Sequence, residues 1–176
     1  MIPIQRGPEP QALRDARSHR LAKLRAIAAA REPTAKDIHG YAVVAHDLWT
    51  AQGHKCCYCE SQVQRGHNDV EHFRPKGRAD RTPGCTQTHG YGWLAFTWEN
   101  LLFSCPNCNR GKAKADRFPL AGGSTALLAE QQPPGQELPL LLDPATESGA
   151  RHIQFEEVHL PPRELAPWKL GWEMPA

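Results

Sequence analysis

Two Cys-x-x-Cys pairs, Cys56/Cys59 and Cys105/Cys108, constrain this chain more than anything else in it. Each pair sets two sulfurs one short turn apart, the spacing at which both reach a single tetrahedral ion. Four soft thiolates together make the donor set of a closed structural zinc site. The competing readings are a disulfide or a redox dithiol. The N-terminus carries Pro3, Arg6, Pro8 and Pro10 and no apolar run of the length a secretory leader needs, which points to a reducing cytoplasm and to metal over disulfide. Cys57 is out of phase with its knuckle and Cys85 has no partner at ligand spacing, so both read as non-ligands.

A metal staple suits the composition. The 176 residues fit one domain of ordinary size with an appendage, and 16 Pro with 14 Gly imply long loops and little sheet. No segment approaches the ~20 apolar residues of a membrane span. The net charge of +2 conceals an asymmetry: residues 1–117 hold 18 Lys+Arg against 11 Asp+Glu, whereas residues 118–176 hold 3 against 8. The basic part contains both knuckles and fits a polyanion such as nucleic acid; the acidic part does not.

Periodicity predicts a first helix over Gln11 to Ala30, with Leu21, Leu24 and Ala28 at helical spacing and Pro33 as its end. Thr34 reads as the N-cap of a second helix reaching about Gln52, with Ile38, Tyr41, Ala45, Leu48 and Trp49 as its apolar stripe and Gly53 closing it. Val70 and Phe73 fall in a short extended segment. The nearly continuous run from Trp93 to Phe103 reads as core before it reads as base-stacking surface. Ser104 or Cys105 then caps a helix with Pro106 in its first turn, continuing over Asn107 to Lys114. The order is strand, loop, strand, helix, and three segments follow: a helical 1–52, a knuckle-bearing 53–120 and an acidic, proline-rich 121–176.

Asp69-Val70-Glu71-His72, Glu99-Asn100-Leu101-Leu102 and Cys105-Pro106-Asn107-Cys108-Asn109-Arg110-Gly111-Lys112 together resemble the ββα-metal fold of HNH endonucleases, in the variant whose last histidine is an asparagine. More narrowly, Lys55 to Glu60, Glu71 to Lys76, Tyr91 to Ala95 and Pro139 to Pro144 are similar to the retron-associated HNH nucleases that include the B subunit of Septu anti-phage systems. The resemblance runs from about Ala35 to Phe155. It implies an α+β fold with a ββα-metal core pinned by the four-cysteine zinc site and preceded by two helices. It also implies His72 as general base, Glu71 and Asn109 as ligands of a catalytic Mg²⁺ or Mn²⁺, and Asn100 as the residue that fixes the loop orienting His72. An ATPase subunit of a defence complex is the implied partner.

The residue types suit phosphodiester hydrolysis on physical grounds. An imidazole titrates near neutral pH and so can take a proton from water. Carboxylate and amide oxygens are hard donors for a small divalent ion, which neutralises charge on the phosphorane and the leaving oxygen. Glu71 stands where HNH sites more commonly carry aspartate, which leaves the metal preference open between Mg²⁺ and Mn²⁺. Asp69 reads either as a partner of His72 or as a strand-edge acid. Arg74, Lys76, Arg110, Lys112 and Lys114 are the expected phosphate contacts, giving salt-dependent attraction without base reading. DNA is the first choice of substrate and RNA the second. The alternative function is a zinc-knuckle binding module, which would have no need of Glu71, His72 and Asn109 together. The acidic C-terminal stretch is expected either to pack on the core, as Leu140 to Leu142 could, or to bind the partner.

Overall fold

The computed structural model describes residues 4–82, 85–87, 90–111, 113–147 and 152. Helix α1 (Gln11–Ala30) starts behind Pro10, whose carbonyl accepts from Leu13 and Arg14, and ends before Pro33 as the periodicity requires. It buries Leu13 and Leu24, eleven residues and three turns apart, and sets its arginines outside that line.

The second expected helix is broken. Thr34 and Asp37 form the reciprocal capping box, and Arg31 holds the Asp37 carboxylate at 2.7 and 2.9 Å, but the helix lasts one 3₁₀ turn (Ala35–Asp37). The backbone leaves helical geometry at Ile38 and turns at Gly40. At φ +98° Gly40 is in the left-handed region, and a Cβ there would fall 2.8 Å from Arg20 Nε of α1. The chain restarts as a 3₁₀ turn (Tyr41–Val44) running into helix α2 (Ala45–Ala51).

After the first knuckle, strand β1 (Asp69–His72) pairs antiparallel with β4 (Leu101–Ser104), Glu71 facing Leu102 and His72 facing Leu101. Between them lies a second hairpin of β2 (Ala79–Thr82) and β3 (Cys85–Gln87). Helix α3 (Pro106–Asn109) follows β4 directly, with Pro106 at its first position. It is shorter than the expected run to Lys114. Gly111 at φ +63° turns the chain, and Lys114 and Ala115 return their amides to the Cys108 and Asn109 carbonyls.

β4 is buried along its whole length and divides the interior. Side chains alternate across a strand, so Leu101 and Phe103 join Leu13, Leu24, Val44, Leu48 and Phe96 in one cluster. Leu102 joins Phe73, Tyr91, Leu94, Phe118 and Leu127 in another. The outer edge of β4 is also covered. The Gln52 amide both donates to and accepts from the Phe103 backbone at 2.7 Å, and Cys57 N donates to the same carbonyl at 3.0 Å.

Residues 119–121 and 138–140 run side by side, with Ala121 N bonded to Leu138 O and Leu140 N to Pro119 O. This separates two of the leucines that the sequence left undecided: Leu141 packs against the second cluster, while Leu140 stays 62% exposed, as does Leu138 beside it at 61%. Among the described residues no helix is long and apolar enough to cross a membrane. Residues 148–151 and 153–176, half of the acidic 121–176 stretch expected to meet a partner, lie outside the described residues, as does Lys112.

Candidate functional site

The first knuckle is a tight turn in which Cys56 N donates to Ser61 O and Glu60 N to Cys56 O, with Glu60 in the left-handed region at φ +59°. The second knuckle is the start of α3. β4 delivers it alongside the first, and the Sγ atoms of Cys56, Cys59, Cys105 and Cys108 all lie within 4.8 Å of one another. Four thiols at that spacing can hold a metal ion. Cys56 is prepared for the thiolate state: the Cys57 thiol and the backbone amides of Cys105, Cys59 and Tyr58 pull it down to about 3 against the opposing effect of burial. Cys57 stays out of the cluster, buried beside Phe73 and Leu102, and burial pushes its thiol well above the usual range. Cys85 lies on β3.

Beside the thiols is an open cleft of about 450 Å³, to which Asp69, Glu71, His72, Lys76, Asn109 and Arg110 all contribute. His72 ends β1. Its ring is buried, 4.4 Å edge-to-face from Tyr41, with Nε2 3.1 Å from the Ala95 carbonyl oxygen. A carbonyl only accepts, so Nε2 carries the hydrogen and Nδ1 is left as the ring's proton acceptor. Burial, with the Lys76 and Lys114 ammoniums working in the same direction, holds the imidazole well below its ordinary value and therefore neutral.

Asn100 clamps the residues after His72. Its Oδ1 accepts from Arg74 N at 2.8 Å, its Nδ2 donates to Arg74 O and Leu94 O, and its own carbonyl accepts from Phe73 N. Phe73 and Arg74 are thereby fixed against the end of β4 and against the turn that presents Ala95.

Two acids of β1 reach the cleft, and each has a different partner. Asp69 accepts from Asn109 Nδ2 at 3.0 Å and from Arg110 at 2.5 and 2.8 Å; partial burial raises its carboxyl, but these bonds prevail and leave it below the usual range. With Nδ2 so engaged, Asn109 keeps its amide oxygen as an acceptor. Glu71 is buried, 2.5 Å from Lys114 Nζ and 3.3 Å from Tyr58 OH. Burial pushes its carboxyl up, and Lys114 opposes this. Lys114 also donates to His72 O at 2.9 Å.

The five basic residues named from the sequence part company here. Lys76 and Arg110 line the cleft; Lys76 lies 4.8 Å over the Tyr41 ring, and Arg110 is exposed on Asp69. Lys114 is buried on Glu71. Arg74 is not brought to the cleft, because its Nε is held by the buried Glu137 carboxylate at 2.6 Å. Sequence reasoning missed Tyr41, the Ala95 carbonyl, Tyr58 and Glu137. Tyr58 and Ala95 lie within segments that carry the resemblance and Tyr41 within an apolar stripe, but no local pattern marks any of them for these contacts.

The fold and site together define a mixed protein of helices and a small antiparallel sheet, with four cysteines gathered as a possible metal site beside a cleft holding acids, an amide and a buried histidine. The chain resembles the HNH nucleases of Septu and retron systems. It is 39% identical over 106 residues to Septu protein PtuB of Bacillus mycoides strain KBAB4, covering 58% of this chain and 35% of that protein. Against Septu protein PtuA of the same strain it is 30% identical over 104 residues, covering 58% of this chain and 14% of the relative. A retron Vc95 protein of Vibrio cholerae serotype O1 biovar El Tor, named as a candidate HNH endonuclease, is 32% identical over 91 residues, 48% of this chain and 40% of that one. The match thus spans less than half the length of each of these relatives. No family model matches the chain, and no solved structure does.

Proposed function

We propose that this chain is a metal-dependent HNH endonuclease that hydrolyses phosphodiester bonds and serves as the nuclease of an anti-phage defence system. The observation that carries the reading is the convergence of a neutral, rigidly held His72 with Glu71, Asp69 and Asn109 on one cleft beside four clustered cysteines. The relatives with Septu and retron names support it.

In this reading β1, β4 and α3 are the ββα core, and zinc held by Cys56, Cys59, Cys105 and Cys108 pins α3 to the first knuckle. Carboxylate and amide oxygens are hard donors suited to a second cation: Glu71 and Asn109 would hold Mg²⁺ or Mn²⁺, which would supply charge neutralisation at the phosphate and leaving oxygen. The chain's own residues do the rest. Asn100 and the Ala95 carbonyl fix the imidazole. Nδ1 of His72 takes the proton of the attacking water, and the bond from phosphorus to the leaving oxygen breaks as the new one forms. Lys76 and Arg110 attract the phosphodiester backbone without reading bases. A partner subunit with ATPase activity, as in the systems the chain resembles, would govern when the site acts.

The test is a cleavage assay on single- and double-stranded DNA and on RNA, with Mg²⁺, Mn²⁺ or Ca²⁺, alongside elemental analysis of the purified protein. Tight zinc with Mg²⁺- or Mn²⁺-dependent cutting that His72→Ala removes is the expected result. Tight zinc with nucleic-acid binding but no cutting in any metal would leave a binding module instead.

A further inference from the structure

A second concavity, of about 670 Å³, lies between α1 and residues 126–130, on the far side of a ridge from the candidate catalytic cleft. Its floor is apolar: Leu24 and Ile38 lie close against Gly92, where a Cβ would meet each of them at 3.3 Å. One wall carries the Trp93 indole, steadied by its Nε1 hydrogen bond to Gln131 O at 2.8 Å. Leu128 stands 68% exposed at the mouth. The volume is that of a small-molecule-sized site.

The ridge identifies the occupant. Lys76 and Gly77 line both concavities, so the two spaces share one wall, and Lys76 is the cation on it. The wall is kept thin by close approach: a Cβ on Gly77 would sit 2.8 Å from Ala35 Cβ, and one on Gly90 would collide with the backbone of residues 76–78 at 2.6–2.7 Å. A phosphate drawn to Lys76 therefore has the catalytic cleft on one side and, on the other, a tryptophan-walled groove with an apolar floor and the Arg25–Glu130 ion pair in its lining. A nucleotide is built that way, with an anionic backbone and a flat, poorly hydrated base. The bases of a duplex are paired and stacked, and only an unpaired one is free to enter.

We propose that this groove takes an unpaired nucleobase of the strand whose phosphate lies at Lys76, which makes single-stranded or locally opened nucleic acid the preferred substrate class. The proposal rests on the nuclease reading for its substrate and extends it to strandedness.

Two surface substitutions test it. Ala28→Trp fills the groove from an exposed position on α1, and Leu128→Glu places an anion at its mouth, again at an exposed position. Affinity for a fluorescent single-stranded 12-mer and for the same strand in duplex is measured by anisotropy in Ca²⁺ without Mg²⁺ or Mn²⁺, with thermal melts to verify the fold of each variant. Loss of one stacked base weakens binding on the order of tenfold, so both variants should lose about that on the single strand and less than about twofold on the duplex. Unchanged single-strand affinity in both folded variants overturns the proposal, as does an equal loss on both substrates. Sedimentation showing that the groove variants break up a wild-type dimer with oligonucleotide affinity intact also overturns it, since the occupant is then a second copy. If wild-type protein cuts duplex while both variants bind single strand normally, the groove assignment fails and the nuclease reading stands. If the variants lose single-strand binding but wild-type protein cuts nothing in any metal, the reverse holds.

Discussion

The imidazole Nε2 of His72 and the carbonyl oxygen of Ala95, 3.1 Å apart, fix which ring nitrogen can accept a proton. That bond and the burial around it have a kinetic consequence. Lys76 and Lys114 face the ring with their positive charges and Tyr41 packs on it, and of these influences burial is the largest in keeping it neutral. A base already deprotonated at its working pH gives a rate that does not climb through 6.5. Cleavage should be flat in the base's titration from about pH 6.5 upward and fall only at lower pH, where the ring protonates. A pH–rate profile at saturating Mn²⁺ checks this; a rising limb centred at 6.5 or above would contradict it. His72→Ala should abolish cleavage at every pH with zinc content unchanged.

The cysteine cluster leads to a separable outcome. A structural site contributes its binding free energy to folding, so Cys59→Ser or Cys108→Ser should lose zinc and yield aggregated or partly unfolded protein. Cys57→Ser should retain full zinc, since Cys57 is not one of the four clustered cysteines and serine keeps a donor to Cys56. Elemental analysis and near-ultraviolet circular dichroism on the three proteins decide it. A soluble Cys108→Ser protein with full zinc and normal stability would remove that ligand.

Glu137 carries a prediction that no sequence motif announces. Its fully buried carboxylate accepts from Arg74 Nε, from the Tyr91 hydroxyl and from Leu127 N at 3.2 Å. Removing one member of a buried ion pair strands the other, at a cost of about 3–5 kcal/mol. Glu137→Ala should therefore lower the urea midpoint sharply with an unchanged slope. Glu137→Gln, which keeps an acceptor oxygen, should lose less. Equal stability for all three proteins would place Arg74 in solvent instead.

Legibility in the sequence followed the range of the forces involved. α1 was legible because its period and the Pro33 that ends it are local. The cysteine cluster was legible for the same reason: each knuckle is a four-residue motif, and two of them sufficed to expect one site. The second helix failed because the backbone leaves helical geometry at Ile38 and turns at Gly40, a break that the apolar stripe running across it did not reveal. Two of the basic residues around the site, Arg74 and Lys114, turn elsewhere for a similar reason. Sequence proximity put Arg74 and Lys114 beside phosphate, yet each is claimed by a buried acid, Glu137 at 63 residues' separation and Glu71 on β1. A charge near a motif was readable; the direction of its side chain depended on which carboxylates the fold brought inside.

Asn109 ties α3 to Asp69 through Nδ2 and leaves its oxygen as the acceptor proposed for the catalytic cation. Asn109→Ala should weaken metal use more than protein stability, since one partly buried hydrogen bond contributes only about 1 kcal/mol. The expected behaviour is a lowered rate in Mg²⁺ that higher Mn²⁺ partly restores. An unchanged metal titration would take Asn109 off the ligand set.

Lys76 and Lys114 should respond in opposite ways to removal, although both belong to the same basic run. Lys76 lies over the Tyr41 ring in the lining of the cleft, where the proposed function gives it a phosphate contact. Neutralising one phosphate contact reduces the slope of log K against log salt by about 1, so Lys76→Ala should bind more weakly at low salt, with a shallower slope and an unchanged melting temperature. Lys114 is buried, with its ammonium on the Glu71 carboxylate at 2.5 Å and on the His72 carbonyl at 2.9 Å. Lys114→Ala leaves Glu71 buried without its cation, a loss of about 3–5 kcal/mol by the same reasoning as for Glu137, while the salt slope stays as in the wild type. Titrating both variants against one labelled oligonucleotide at several salt concentrations, with a melt of each, separates the roles. A Lys114→Ala protein of full stability with a reduced slope would move that lysine from the interior of the site to its phosphate-binding surface.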